Sequence, residues 1–317
     1  MAQPYTRYAG RHELAAGTAT GLCQLAPGRK ARPSLEAASH TAAIQTRYKQ
    51  RMKELVTIVI PCYMQAQYLQ EAIDSVRAQT YPHWECIIVN DASPDHTATV
   101  ADAAAATDSR IRVIHKPQNE GLPFARNTGI RTANGKFILP LDADDAITSN
   151  YLEASVAEFE KNPQLKLVYT DVQCIGSRND IVERLDWDME KICHMNLLHP
   201  TGLFKKEDFD KTRGYRPNIF GYEDWDFWIQ LINNPTETFR IRRPLFICRI
   251  KEQSMITELL ADKEKERAIR KQLYEYNKKK FRQHAPALSY HYELNALDKD
   301  NFYILYQRLK NIIKRFS

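Results

Sequence analysis

Short apolar runs alternate with amphipathic stretches along residues 55–161, and this alternation leaves the chain very few folds to choose from. Leu55 to Ile60, Trp84 to Val89, Ile111 to His115 and Lys136 to Leu141 read as strands, because each is a short apolar run rich in β-branched or aromatic residues. Tyr68 to Gln79, Pro94 to Ala106, Pro123 to Thr132 and Asn150 to Lys161 read as helices between and after them. Right-handed crossovers satisfy such a pattern, so an α/β fold is predicted, with a mainly parallel sheet and helices on both faces. Ligands bind sheets of this kind at the carboxyl ends of the strands. The polar residues fall there: Asn90 and Asp91 after the second strand, and Asp142, Asp144 and Asp145 after the fourth.

Three carboxylates this close repel one another at neutral pH unless a cation lies among them, and oxygen ligands suit Mg²⁺ or Mn²⁺. An acidic turn capping the helix that starts near Ser149 is the plainer alternative. None of the eleven glycines falls between Gly28 and Gly121. The first strand therefore has no phosphate-cradling loop, neither a GxGxxG turn nor a P-loop. A nucleoside diphosphate would have to be neutralised by metal and basic side chains instead of glycine amides. A second acidic site, Glu223 and Asp224, precedes the apolar run Phe227 to Ile232. Acids at a helix start read as caps, or, beside aromatic residues, as a general base facing a bound hydroxyl. Trp225 and Trp228 read as core or as a face for a sugar ring.

The 317 residues suffice for one large α/β domain with additions, or for two smaller domains. The net charge of +6 is concentrated in the C-terminal third, around Lys278 to Lys280 and Lys310 to Arg315. This suits an anionic surface or ligand, not a nucleic-acid groove. Six cysteines without CxxC spacing give no sign of a disulfide framework. The longest apolar runs fall well short of the ~20 residues that span a bilayer, and no signal-peptide segment is recognisable. A cytoplasmic location is expected.

Leu55 to Pro61 with Tyr63, Gln79 to Tyr81, Val89 to Ser93 with Asp95, Asn119 to Gly121, Ala125 to Asn127 with Gly129, Leu141 to Asp145, and Glu223 to Trp225 stand in an order and spacing that resembles the family-2 inverting glycosyltransferases. The resemblance covers roughly residues 55 to 255 and implies the GT-A fold, with sugar transfer from a nucleoside-diphosphate donor. Pro61 and Tyr63 would border the nucleoside, Asp91 would accept a hydrogen bond from the base, and Arg126 would lie near the diphosphate. Asp142 and Asp144 resemble the two acids of a DXD motif with Ala143 between them, Asp142 facing ribose and metal and Asp144 ligating a Mn²⁺ or Mg²⁺ ion. Asp224 matches the catalytic base, and Glu223 helps to orient the acceptor. The implied organisation is a flexible extension over 1–53 and a catalytic domain over 54–256, followed by a basic helical extension over 257–317. Within the catalytic domain, 54–145 would bind the nucleotide and 146–256 the acceptor.

Three positions depart from the family pattern. Met64 stands where Asn is common, and Asn90 where Asp is frequent. Lys251 replaces a His that often contacts metal or diphosphate, which predicts weaker or less selective metal dependence, since an ammonium has no lone pair for a metal and suits a phosphate. His199, near Lys205 and Lys206, is a candidate on the acceptor side together with Trp225. The expected partners are a nucleoside-diphosphate sugar, with a lean to UDP, and a glycan or lipid-linked acceptor. Glu258 to Gln283 reads as one long charged helix, and Phe302, Leu305, Leu309, Ile312, Ile313 and Phe316 form an apolar stripe beside Arg308, Lys310, Lys314 and Arg315. That stripe suits peripheral attachment to an anionic membrane, or packing on the catalytic domain or a second copy. Two other functions stay open: a degenerate sugar-nucleotide-binding scaffold, and a sugar-nucleotide pyrophosphorylase, although the latter would carry a Gly-rich loop after the first strand.

Overall fold

The computed structural model describes residues 54–295. The expected N-terminal extension and the stripe from Phe302 to Phe316 lie outside them. In chain order the elements are β1 (Val56–Cys62), α1 (Ala66–Arg77), β2 (Trp84–Asn90), α2 (Thr97–Thr107), β3 (Ile111–His115), α3 (Leu122–Arg131), β4 (Phe137–Pro140), β5 (Ala146–Ile147) and α4 (Tyr151–Lys161). They continue with β6 (Leu167–Gly176), β7 (Ile181–Val182), α5 (Lys191–His194), β8 (Leu203–Lys205), α6 (Lys206–Phe209), α7 (Glu223–Leu231), β9 (Thr238–Ile250), α8 (Met255–Ala261), α9 (Lys263–His284) and α10 (Pro286–Asn295).

The sheet runs β3-β2-β1-β4-β8-β6-β9-β5, with β7 paired to β6. Its first four strands are parallel, as the alternation predicts. Beyond β4 the sheet is mixed: β8 runs against both β4 and β6, β9 runs with β6, and β5 runs against β9. The sheet is nonetheless parallel over most of its paired residues, as expected, and antiparallel only in the short pairings of β5, β7 and β8. Residues 177–202 contain only β7 and α5 and return to the same end of the sheet, so β8 needs no crossover helix.

Every residue of β1 is buried, because both sheet faces are covered. Its side chains divide by the two-residue period of a strand. Ile58 and Ile60 join Leu69, Ile73, Leu152 and Val156 in one core, while Val59 joins Ile87, Val89, Ile130, Phe227 and Trp228 in the other. On the second face α3 lies so close to the sheet that a Cβ at Gly129 would come within 2.4 Å of Val59 Cγ1.

The predicted single helix from Glu258 to Gln283 is two helices. Ser254 and Asp262 each accept a hydrogen bond from a first-turn amide, of Thr257 and Lys265 respectively, and so start separate elements. Leu273, Tyr274 and Phe281 of α9 belong to the second core. Asn277 leaves helical geometry at φ −118°, and its side chain donates to Asp226 Oδ1 at 2.6 Å. Lys280 Nζ donates to the carbonyls of Gln230 (3.1 Å), Ile232 (2.5 Å) and Ile229. It thereby caps α7 at the negative end of its dipole. Burial draws the Lys280 pKa down to about 8. Among the described residues no helix is long and apolar enough to cross a membrane.

Gly129→Ala tests the packing of α3 on β1. The added methyl should lower stability by about 1–3 kcal/mol through overpacking, read as a lower urea midpoint at unchanged slope. A midpoint equal to that of wild type would show that the helix is not pressed on Val59.

Candidate active site

The chain leaves β4 at Pro140 and turns through Leu141 to Asp145 at the carboxyl edge of the parallel strands. Beneath this loop lies Arg126 of α3, wholly excluded from solvent. Its Nη2 donates to Asp142 Oδ1 at 2.6 Å and its Nη1 to Glu223 Oε1 at 2.8 Å, with the guanidinium carbon 5.2 Å from the Tyr215 ring centroid. Burial alone would lower the Arg126 pKa, but Asp142 and Glu223 raise it above the ordinary value and keep the group charged. Arg126 thus joins the acidic loop to the start of α7. Both of these nitrogens are committed to carboxylates, which limits what Arg126 can offer a diphosphate directly.

The three clustered acids have separate partners. Asp142 pairs with Arg126, and Asp144 Oδ2 lies 2.6 Å from Lys251 Nζ. Asp145 turns inward and accepts the backbone N–H of Arg249 at 2.8 Å. Burial, followed by the charges of Asp144 and Asp142, holds the Asp145 carboxyl well above the usual carboxylate range. The cations that relieve the acidic cluster are therefore side chains of the chain itself. Among the described residues no three His, Cys, Asp or Glu side chains converge on a point that could hold a metal ion. Asp142 and Asp144 each have one carboxylate oxygen engaged by a cationic side chain, Arg126 and Lys251 respectively.

Asp224 lies in the first turn of α7. Its Oδ2 accepts from Asn196 Nδ2 at 2.9 Å, and its Oδ1 from the Trp225 backbone N–H at 2.7 Å. Burial, reinforced by the adjacent Glu223 and opposed by Arg126 and these hydrogen bonds, pushes its pKa up to about 7. A carboxylate poised near neutrality is suited to proton abstraction.

On the nucleotide side, Pro61 is buried at the end of β1, Tyr63 is exposed beyond it, and Ala143 is buried within the acidic loop. Met64 sits at φ 55°, a left-handed conformation that Asn tolerates better than Met. Asp91 is buried and accepts the backbone N–H groups of Glu120 (3.1 Å) and Gly121 (2.7 Å), while Lys116 Nζ lies 3.1 Å from its Oδ1. It anchors the turn that begins α3, which limits what it can offer a nucleobase.

One acceptor-side expectation changes. Trp225 is core: it is 1% exposed, and its indole N–H donates to Ile192 O at 2.6 Å, so no face is left for a sugar. His199 packs with its ring centroid 5.6 Å from that of Phe246, and desolvation, with Arg184 and Arg178 nearby, lowers its pKa to about 3. It is neutral at physiological pH. Sequence reasoning missed Asn196, which lies in an irregular segment with no pattern of its own, and the contacts of Arg249. The Arg249 side chain donates to Asp144 O at 3.2 Å and pairs with Glu71. A separate cavity of about 630 Å³ between Trp187, Phe239 and Arg242 contains none of these acids. Its Arg240 and Arg242 are already paired with Asp171 and Asp186.

Arg126→Leu should cost about 3–5 kcal/mol of folding stability, because it leaves Asp142 and Glu223 without their buried counter-charge. Urea unfolding measures it, and a loss below about 1 kcal/mol would mean the pair is no more than a surface-type contact.

The family described as Glycosyl transferase family 2 matches residues 57–244. Among curated relatives, an uncharacterized glycosyltransferase EpsJ of Bacillus subtilis (strain 168) is 43% identical over 117 residues, which cover 37% of this chain and 33% of that protein. A chondroitin synthase of Pasteurella multocida (strain Pm70) is 30% identical over 181 residues, 56% of this chain and 19% of that protein. The chain spans about a third or less of the length of the first curated relatives it matches. The solved structure of S. aureus TarS 1-349 in complex with UDP-GlcNAc superposes with a TM-score of 0.57 at 16% identity, over 72% of each chain. At that identity the likeness establishes the fold, and the family match, which takes in more than half of the chain, establishes membership: the chain belongs to glycosyl transferase family 2.

Proposed function

We propose that this chain transfers a sugar from a nucleoside diphosphate to a hydroxyl of a glycan or lipid-linked acceptor, inverting the anomeric centre. The observation that carries the reading is Asp224, buried with a pKa of about 7 and set beside the Arg126 bridge to the donor-side loop. The acceptor hydroxyl gives its proton to Asp224 as its oxygen attacks the anomeric carbon. The bond from that carbon to the diphosphate oxygen breaks on the opposite face, and the electron pair leaves with the diphosphate. Asn196 and the Trp225 amide hold the base in its rotamer, and Glu223, fixed by Arg126, sets the angle at which α7 presents it.

Pro61 and the exposed Tyr63 border the nucleoside, and Asp91 shapes the base pocket through the Gly121 turn that it holds. A uridine donor is favoured by the fold likeness to a protein solved with UDP-GlcNAc. The chondroitin synthase relative favours a polymeric glycan acceptor. No step of this mechanism passes through a divalent ion.

Asp224→Asn should lower turnover by about 10²–10⁴-fold, followed as UDP released from UDP-sugars in the presence of acceptor glycans, while UDP affinity is kept. In wild type the deprotonated base is the active form, so kcat/KM should fall as pH drops through about 7. Full turnover by the Asn variant would remove Asp224 from the chemistry.

A further inference from the structure

The strand that leaves the sheet beside the acidic loop ends in two cations. Arg249 and Lys251 come from the last turn of chain around the end of β9, and both stand over the Tyr68 ring, at 4.8 and 4.4 Å from its centroid. Lys251 Nζ is 2.6 Å from Asp144 Oδ2 and 3.3 Å from Gln65 Oε1. An ammonium has three donors, and these two contacts leave one of them for a ligand. The side chain keeps 25% of its surface exposed, so solvent and ligand reach it. The Arg249 guanidinium lies behind it, on the Asp144 carbonyl and Glu71.

A divalent ion on Asp144 would bind a carboxylate oxygen at about 2.0–2.6 Å. Asp144 already pairs with Lys251, so an ion on either of its carboxylate oxygens would lie beside the ammonium and be repelled by it. Lys251 thus brings a positive charge to the place where a divalent ion would supply one, with Arg249 held behind it by Glu71. We propose that Lys251 is a catalytic residue that neutralises the donor diphosphate, and that this chain binds its nucleotide without a divalent ion. Lys251 donates its third hydrogen bond to a diphosphate oxygen. As the bond to the anomeric carbon breaks, the electron pair settles on that diphosphate, where the ammonium stabilises it. The acceptor proton goes to Asp224, and Lys251 keeps its own. Asp144 is then a positioning residue that fixes the ammonium, not a metal ligand.

The inference rests on the donor-binding reading given above, and calorimetric titration separates the two. The full-length protein, Lys251→Ala, Lys251→His and Asp144→Ala are titrated with UDP, GDP and dTDP, in EDTA and in Mn²⁺. Wild type should bind one nucleotide in EDTA, with an affinity that Mn²⁺ changes by less than about threefold, the size of context variation in a single contact. Loss of the charged hydrogen bond in Lys251→Ala should weaken that binding about tenfold to a hundredfold. Lys251→His should bind weakly in EDTA and recover in Mn²⁺, because a neutral imidazole is a metal ligand. The free-Mn²⁺ resonance signal should be the same with UDP alone as with UDP and wild-type protein.

Nucleotide binding by wild type that collapses in EDTA would overturn the role of Lys251 and leave the donor site standing. Unchanged affinity of Lys251→Ala in EDTA would overturn it equally. No binding of any nucleotide by wild type, in EDTA or in Mn²⁺, would overturn the donor site itself and the lysine's role with it.

Discussion

Arg126 carries one positive charge in a place that water does not reach, between carboxylates that arrive from sequence positions 97 residues apart on one side and 16 on the other. A buried charge without a partner is among the costliest features a fold can contain, whereas one that is fully paired is close to neutral for stability and narrows the arrangements that satisfy it. The acidic loop after β4 and the first turn of α7 therefore cannot shift independently. One of these two segments lies among the residues expected around a donor nucleotide, and the other carries the candidate base. A single guanidinium sets the distance between them, and Tyr215 closes over it.

Around this bridge the donor-side carboxylates are neutralised in pairs. Asp142 has Arg126, Asp144 has Lys251, and Asp91 has Lys116 together with two backbone amides. Asp145 is relieved differently, by burial that favours its protonated form. Dipoles and charges fixed before a substrate arrives need no reorganisation when charge moves in a reaction. Asp224 is the exception on the other side: it has amide donors and no direct ion pair among the described residues, and burial, with Glu223 beside it, pushes its pKa up to about 7.

Elements were readable wherever local pattern and final environment agree. Trp84 to Val89 is an apolar run that the structure buries as β2, Ile111 to His115 forms the half-buried β3, and Asn150 to Lys161 is periodic enough to give α4 nearly to the residue. The antiparallel β8 and the two-residue β5 left no comparable trace, because strands of three and two residues have too few positions to show a period. The acids of the site were readable from their clustering at strand and helix ends. Their partners were not: nothing near Asp144 in sequence announces Lys251, and the commitment of Arg126 to two carboxylates depends on long-range folding. Trp225 shows the opposite error, since an aromatic residue beside an acid looks like a sugar platform until its indole N–H is found on the Ile192 carbonyl.

Lys280 and Asn277 reach back 48 to 51 positions to hold the helix that carries Asp224. On the ribosome the chain emerges at about 5–20 residues per second. The parallel half of the sheet and α7 are thus exposed for several seconds before the carbonyls of Ile229, Gln230 and Ile232 meet their cap. Synthesis therefore completes the donor half first and steadies the base last, so a nascent chain that stops short of α9 has its acids in order but lacks the clamp that orients them.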